Sequence, residues 1–207
     1  MTPDEDRDVF FDAIRHAIEY PSEPFEFSAA DFNAIAAHVS VLLGDAVSAF
    51  ERQSFGTAVF LAITALEETA KAEMLIYRRD GDEDAQKPRR DPLLDHKTKH
   101  RIAVRPTTFM GRLPELLGAD AVARLRALPA TGELRTLRER ALYARFDGGK
   151  VQTPRDAVGH AKAREIVLLA LECADDILAG YSEASHALGQ RFEAWMDAIA
   201  ASKVTNG

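Results

Sequence analysis

Apolar residues recur along this chain with the 3.6-residue period of a helix, and alternating β-branched runs are absent. The pattern predicts helices and no strand. A first helix is expected over residues 4–19, with Val9, Ala13, Ile14 and Ile18 on one face. Pro21 and Pro24 end it, and Phe25 and Phe27 mark a short aromatic linker. Ser28 followed three residues later by Asp31 has the form of a capping box, so a second helix should run on to about residue 52. The third, over residues 55–78, is apolar nearly all round. Val59, Ala62, Ile63, Leu66, Ala70, Met74 and Tyr77 share one face, while Leu61, Ala65, Ala72 and Ile76 cover most of the rest. Such a helix belongs in the centre of a bundle.

Punctuation divides the second half of the chain. Residues 80–92 read as a charged loop. Helices are expected over 92–104, 109–117, 120–128 and 133–143, with Pro106, Gly118, Pro129 and Asp147-Gly148-Gly149 as stops. Thr153-Pro154-Arg155-Asp156 is a strong start for a helix reaching residue 180. A last helix over 182–202 carries Leu188, Phe192, Trp195 and Ile199 as one stripe, expected to form a dimer seam rather than core. The fold class is therefore all-α, a bundle of five or more helices without an internal repeat. Its division is residues 1–180 as the bundle and 181–207 as an added amphipathic helix, packed on the core or on a partner.

Charge changes this picture. Residues 1–86 carry 6 basic and 18 acidic side chains, residues 87–155 carry 16 and 7, and residues 156–207 carry 4 and 8. The formal total of −7 thus hides a middle segment of +9 between acidic flanks. A total of −7 argues against a general nucleic-acid coat protein, whereas the basic middle suits an acidic partner. The sole cysteine, Cys173, lies in a helical pattern and excludes an intrachain disulfide. The first residues lack a basic-then-apolar leader, and the apolar stretch around residues 58–66 is too short for a membrane span. A cytoplasmic setting without membrane contact is expected.

Three clusters could carry chemistry. On the third helix Phe60, Ile63, Glu67, Lys71 and Met74 fall within about an 80° sector, with Glu68 flanking it. An acid and a lysine interrupt an apolar stripe, read either as an i,i+4 ion pair or as part of a site. In Asp95-His96-Lys97-Thr98-Lys99-His100-Arg101, His96, Lys99 and His100 share a helical face. Two readings apply to this segment. One is anion binding by Lys97, Lys99 and Arg101 with a histidine moving a proton; the other is a solvated basic helix. A metal half-site is disfavoured by the lysines, and a helical-bundle metal centre using Glu67, Glu68, His96 and His100 ranks last. No metal and no cofactor are expected. The third cluster, around Arg138, Arg140, Tyr143 and Arg145, reads as helix-end capping or as phosphate contact.

Taken together, Ser54-Phe55-Gly56-Thr57-Ala58, Leu66-Glu67-Glu68-Thr69-Ala70-Lys71, His96-Lys97-x-Lys99 and Leu142-Tyr143 with Asp147 resemble the AbiV family of abortive-infection proteins, over roughly residues 30–180. The resemblance implies a HEPN-like helical bundle and an antiphage role. Many HEPN domains are dimeric, metal-independent ribonucleases in which an Arg and a His spaced R-x4-6-H assist attack by the RNA 2′-hydroxyl. Arg89 or Arg90 with His96, and Arg155 with His160, match that spacing.

The expected function is an antiphage effector, as a ribonuclease or translation-blocking toxin. Glu67, Glu68, Lys71, His96 and Lys99 are the expected catalytic group, with His96 as general acid/base and Glu67–Lys71 as its support. Arg89, Arg90, Lys97, Arg101, Arg138, Arg140 and Tyr143 would hold RNA or phosphate. A homodimer, with RNA, the translation machinery or a phage protein as target, completes the expectation. The alternative is a non-catalytic module that binds protein or nucleic acid and senses or inhibits a phage or host component.

Overall fold

In the computed structural model, which describes residues 3–18, 28–77 and 91–202, helices α1 (Pro3–Ile18), α2 (Ala29–Glu51) and α3 (Phe55–Tyr77) come first. They are followed by α4 (His96–Ala103), α5 (Leu113–Leu117), α6 (Ala119–Thr131) and α7 (Glu133–Leu142). A hairpin of β1 (Arg145–Asp147) and β2 (Lys150–Gln152) leads into α8 (Pro154–Ala157), α9 (His160–Leu178) and α10 (Glu183–Ala201). The fold is an all-α bundle, as the periodicity implies.

The middle of the bundle is α3, packed against α2, α9, α7 and α4. Its buried face includes Val59, Ala62, Ile63, Leu66, Ala70 and Met74, with Ala58, Ala65 and Ala72 buried as well. Alanines at these positions, with Ala36, Ala46 and Ala49 on α2 and Ala163, Ala170 and Ala174 on α9, let the axes approach closely. Ser28 caps α2 through the reciprocal Ser28–Asp31 box. By length and composition α2 would reach across a membrane, longer than the apolar stretch expected around 58–66. In the bundle its Phe32, Val39, Leu43, Val47 and Phe50 are core.

Several boundaries differ from expectation, each for a local reason. The strand-free reading fails at β1–β2. Gly148 and Gly149, at φ of 56° and 77°, supply the two positive-φ residues of a tight hairpin turn, and Asp147 pairs with Lys150 across it. The segment expected as one helix over 92–104 opens with a 3-10 turn, Pro92–Leu94. Asp95 then turns extended and caps α4. Residues 107–110 form another 3-10 turn ahead of the short α5. Pro129 does not end α6 but lies in its last turn. The helix expected over 154–180 breaks at Val158-Gly159, both extended, leaving α8 as a single turn. The expected linker at 21–27, Arg89, Arg90, most of the 80–92 loop and the side chain of Tyr77 lie outside the described residues.

The stripe on α10 is used inside the chain. Phe192, Met196 and Ile199 are buried, α10 packs on α9 and α2, and the Trp195 indole lies against Gly44. The expected dimer seam is therefore occupied by the protein's own core.

Candidate functional site

Glu67 sits midway along α3, only 3% exposed. Burying a carboxylate costs several kcal/mol unless its oxygens are met by donors. Here α4 supplies them. Asp95 accepts from the Thr98 backbone N–H at 2.7 Å and from its hydroxyl at 2.8 Å, which starts α4 at His96. His96, Lys99 and His100 then project from one helical face onto α3.

The contacts converge on Glu67. His96 Nδ1 lies 2.8 Å and His100 Nε2 3.1 Å from Oε1, while Lys99 Nζ lies 3.1 Å from Oε2. Arg138 of α7 approaches Oε1 to 3.9 Å, with its guanidinium 5.0 Å above the Phe60 ring centroid. Burial, the largest single influence, pushes the Glu67 carboxyl up. The His100 hydrogen bond and the charges of Lys99 and His100 outweigh it and hold the group down at about 2.

An ionised carboxylate accepts and cannot donate, so His100 Nε2, hydrogen-bonded to Oε1, carries a proton, while His96 Nδ1 approaches the same oxygen without hydrogen-bond alignment. His96 turns its Nδ1 edge toward Glu67, and its Nε2 is the nitrogen left for other chemistry. Exposure separates the roles. The His100 side chain is 1% exposed and Lys99 6%, whereas His96 is 39% exposed and Arg138 28%. The pair that reaches solvent is His96 and Arg138.

The other expected residues are distributed unevenly around this centre. Lys71 pairs with Glu68 at 2.6 Å, an i,i+3 contact, and leaves Glu67 to α4. The expected Glu67–Lys71 partnership is thus replaced. Lys99, expected as a phosphate-holding or catalytic cation, is buried against Glu67 and is not presented at the surface. Lys97 is exposed, Arg101 and Arg140 are half-buried, and none of the three reaches Glu67. Tyr143 caps the end of α7 and is exposed. His100 carries more of the cluster's burial than its place outside the expected catalytic group suggested; its i+4 spacing from His96 was the available signal. Among the described residues no three His, Cys, Asp or Glu side chains are placed to hold a metal ion.

The residues of the second R-x4-6-H match line two adjoining cavities that share Gln53 and Phe55. Arg155 stands on the rim of a cleft of about 740 Å³, beside Arg52, Gln53, Phe60, Leu142 and Val158. His160 opens α9 with its ring packed 5.1 Å from Phe50 and 5.5 Å from Phe55, and its Nε2 lies 3.5 Å from the Ser202 hydroxyl. It lines the smaller of the two, about 200 Å³, with Ile199 and Ser202.

The family model HEPN_AbiV, described as AbiV, matches residues 28–175. That span takes in Glu67, all of α4 and α7, the hairpin and the large cleft, while α1 and α10 lie outside it. No curated protein and no solved structure matches the chain. With more than two thirds of its length inside the family model, the chain belongs to the AbiV family of HEPN-type proteins, whose name carries an abortive-infection, antiphage role.

Proposed function

We propose that this AbiV-family protein acts in abortive infection by cutting RNA without a metal cofactor. The observation that carries the reading is the Glu67–His96 contact: a buried, ionised carboxylate 2.8 Å from Nδ1 of a half-exposed imidazole, whose Nε2 edge stays free. Neutral His96 would accept the proton of an RNA 2′-hydroxyl at Nε2 as that oxygen attacks the adjacent phosphorus. The O2′–P bond forms and the P–O5′ bond breaks. The proton then passes to the departing 5′-oxygen, leaving a 2′,3′-cyclic phosphate and a 5′-hydroxyl. Arg138, braced on Phe60, would face the charge that develops on the phosphorane oxygens. Lys99 and His100 act one step back, holding Glu67.

Purified protein should cleave single-stranded RNA in the presence of chelator. His96→Ala should abolish cleavage while keeping the fold, and Arg138→Ala should slow it by about tenfold to a thousandfold. Intact RNA under metal-free and metal-containing conditions would remove the nuclease reading.

The second reading is a non-catalytic module that binds nucleic acid or an acidic protein, including a phage component or the translation machinery. The +9 middle segment favours it. Its signature is salt-sensitive binding that follows the number of basic residues and ignores His96. A homodimer in the cytoplasm is the proposed working form. With the α10 stripe buried, the exposed Tyr143, Phe146 and Val151 at the hairpin are an apolar surface that supports pairing. A monomeric mass at micromolar concentration would remove that part.

A further inference from the structure

The cleft beside Arg155 has a construction of its own. Its volume of about 740 Å³ lies within the ~300–1,000 Å³ of small-molecule sites. Phe60, Ala141, Leu142 and Val158 make an apolar floor. The floor is tight because Gly56 brings the start of α3 against α7 and α8. A Cβ there would meet the Ala141 carbonyl oxygen and the Pro154 Cβ, each at 2.8 Å.

Two guanidinium groups stand on the rim. Arg52 and Arg155 are exposed, and neither forms an ion pair within the described residues. Each has an acid beside it in sequence, Glu51 and Asp156; Asp156 is engaged mainly by the Thr153 backbone and hydroxyl at 2.9 and 2.7 Å, with a smaller influence from the Arg155 charge. Gln53, next to Arg52 in the lining of the cleft, has a left-handed backbone at φ 60° although it is not glycine. Its amide offers one donor group and one acceptor to whatever enters the cleft.

Paired guanidinium groups select phosphate, an apolar floor suits a flat ring, and an amide can read a ring's polar edge. We infer that the cleft binds one nucleotide unit, with its phosphate at Arg52 and Arg155 and its base over Phe60 and Leu142. Phe60 gives the direction of the chain. Its ring also carries Arg138, and Glu67 lies two helical turns, about 10 Å, further along α3. The cleft and the Glu67–His96 centre therefore share a wall, so the unit bound is a flanking nucleotide of single-stranded RNA, whose base is free to leave the stack. This assignment rests on the RNA reading for its ligand source; the nucleotide chemistry rests on the cleft.

The test is fluorescence anisotropy on the full chain with a labelled single-stranded RNA, using wild type, the double variant Arg52→Ala/Arg155→Ala, Gln53→Gly and His96→Ala, with AMP as competitor. The double variant should bind RNA at least tenfold more weakly, with a shallower salt dependence. Gln53→Gly should bind more weakly while melting at a higher temperature, which separates ligand contact from folding. In the His96→Ala background the arginine substitutions should weaken binding by the same factor, so a protein that binds through the arginines but never cleaves retains the cleft and loses only the catalytic reading. Competition by AMP at the affinity of RNA would assign a free nucleotide as the source and still support the site. Unchanged affinity of the double variant for both RNA and AMP would overturn it, even in a protein that cleaves RNA.

Discussion

His96 Nδ1 and Glu67 Oε1 lie 2.8 Å apart across 29 positions of sequence, the closest of the contacts that tie α4 to the central helix. The same carboxylate also holds Lys99 and His100, so its removal strands two buried nitrogen groups at once. Glu67→Ala should lower the unfolding free energy by about 3–5 kcal/mol, the usual effect of leaving a buried charge without its partner. Lys71→Ala, which breaks only the partly exposed pair with Glu68, should cost no more than about 1 kcal/mol. Urea denaturation of the two variants measures the difference. Equal effects would mean that the charges of α4 are solvated and that Glu67 is not their centre.

The same cluster sets an acid limit. Glu67 titrates at about 2 in the folded chain, against an ordinary value of 4.5. Its stabilisation is fully present above pH 4.5 and is lost as the pH falls from 4.5 through 2, on the order of 3 kcal/mol in all. Glu73, Glu172 and Asp175 run the other way. Burial pushes each of them up, so the fold binds their protons more readily than the unfolded chain, and their contribution declines as pH rises above the ordinary range. Stability should therefore be greatest in mildly acidic solution and collapse below pH 4.5. Chemical denaturation between pH 2 and 8 tests the shape, and Glu67→Gln should flatten its acid limb.

Much of this centre is legible in the sequence, because a carboxylate inside an otherwise apolar helical face has to be met by something. What pairs with it is not. Lys71 is the nearest cation by helical spacing, yet Glu68 takes it one turn away, and the true partners come from a helix 29 to 33 residues on. Nothing local marks His96–Arg101 as buried rather than solvated; Lys99 and His100 become interior only when α4 docks on α3. The fold shows the same division. The Ser28 box and the apolar α3 are local signals and survive intact, whereas three-residue strands are too short to show alternation, and the Val158-Gly159 break lies within continuous helical periodicity.

Gln53 is held left-handed by the end of α2. Its N–H donates to the Phe50 carbonyl at 2.9 Å and the Ser54 N–H donates to the Ala49 carbonyl at 2.8 Å, the paired closure that usually places glycine at this position. A side chain there costs about 1–2 kcal/mol, and glycine returns part of that advantage through its freer unfolded chain. Gln53→Gly should thus stabilise the protein by about 0.5–1 kcal/mol and raise Tm by about 1–4 °C. A lower Tm would show that the Gln53 side chain holds the α2–α3 turn together.

Gly56 tests the packing from the opposite side. A methyl group at this position would need the Ala141 carbonyl and the Pro154 ring to retreat from 2.8 Å, and both belong to backbone-fixed elements instead of flexible side chains. Gly56→Ala gains helix propensity of about 1 kcal/mol inside α3. Overpacking against α7 and α8 should exceed that gain, giving a net loss of about 1–2 kcal/mol. Because α8 carries Arg155, the displacement should also weaken RNA binding, while the Glu67 cluster, about three turns further along α3, keeps its acid transition. Thermal melting, RNA titration and the pH series on this one variant separate the three effects. A Gly56→Ala protein more stable than wild type would mean that α8 yields freely and that the cleft has no fixed wall.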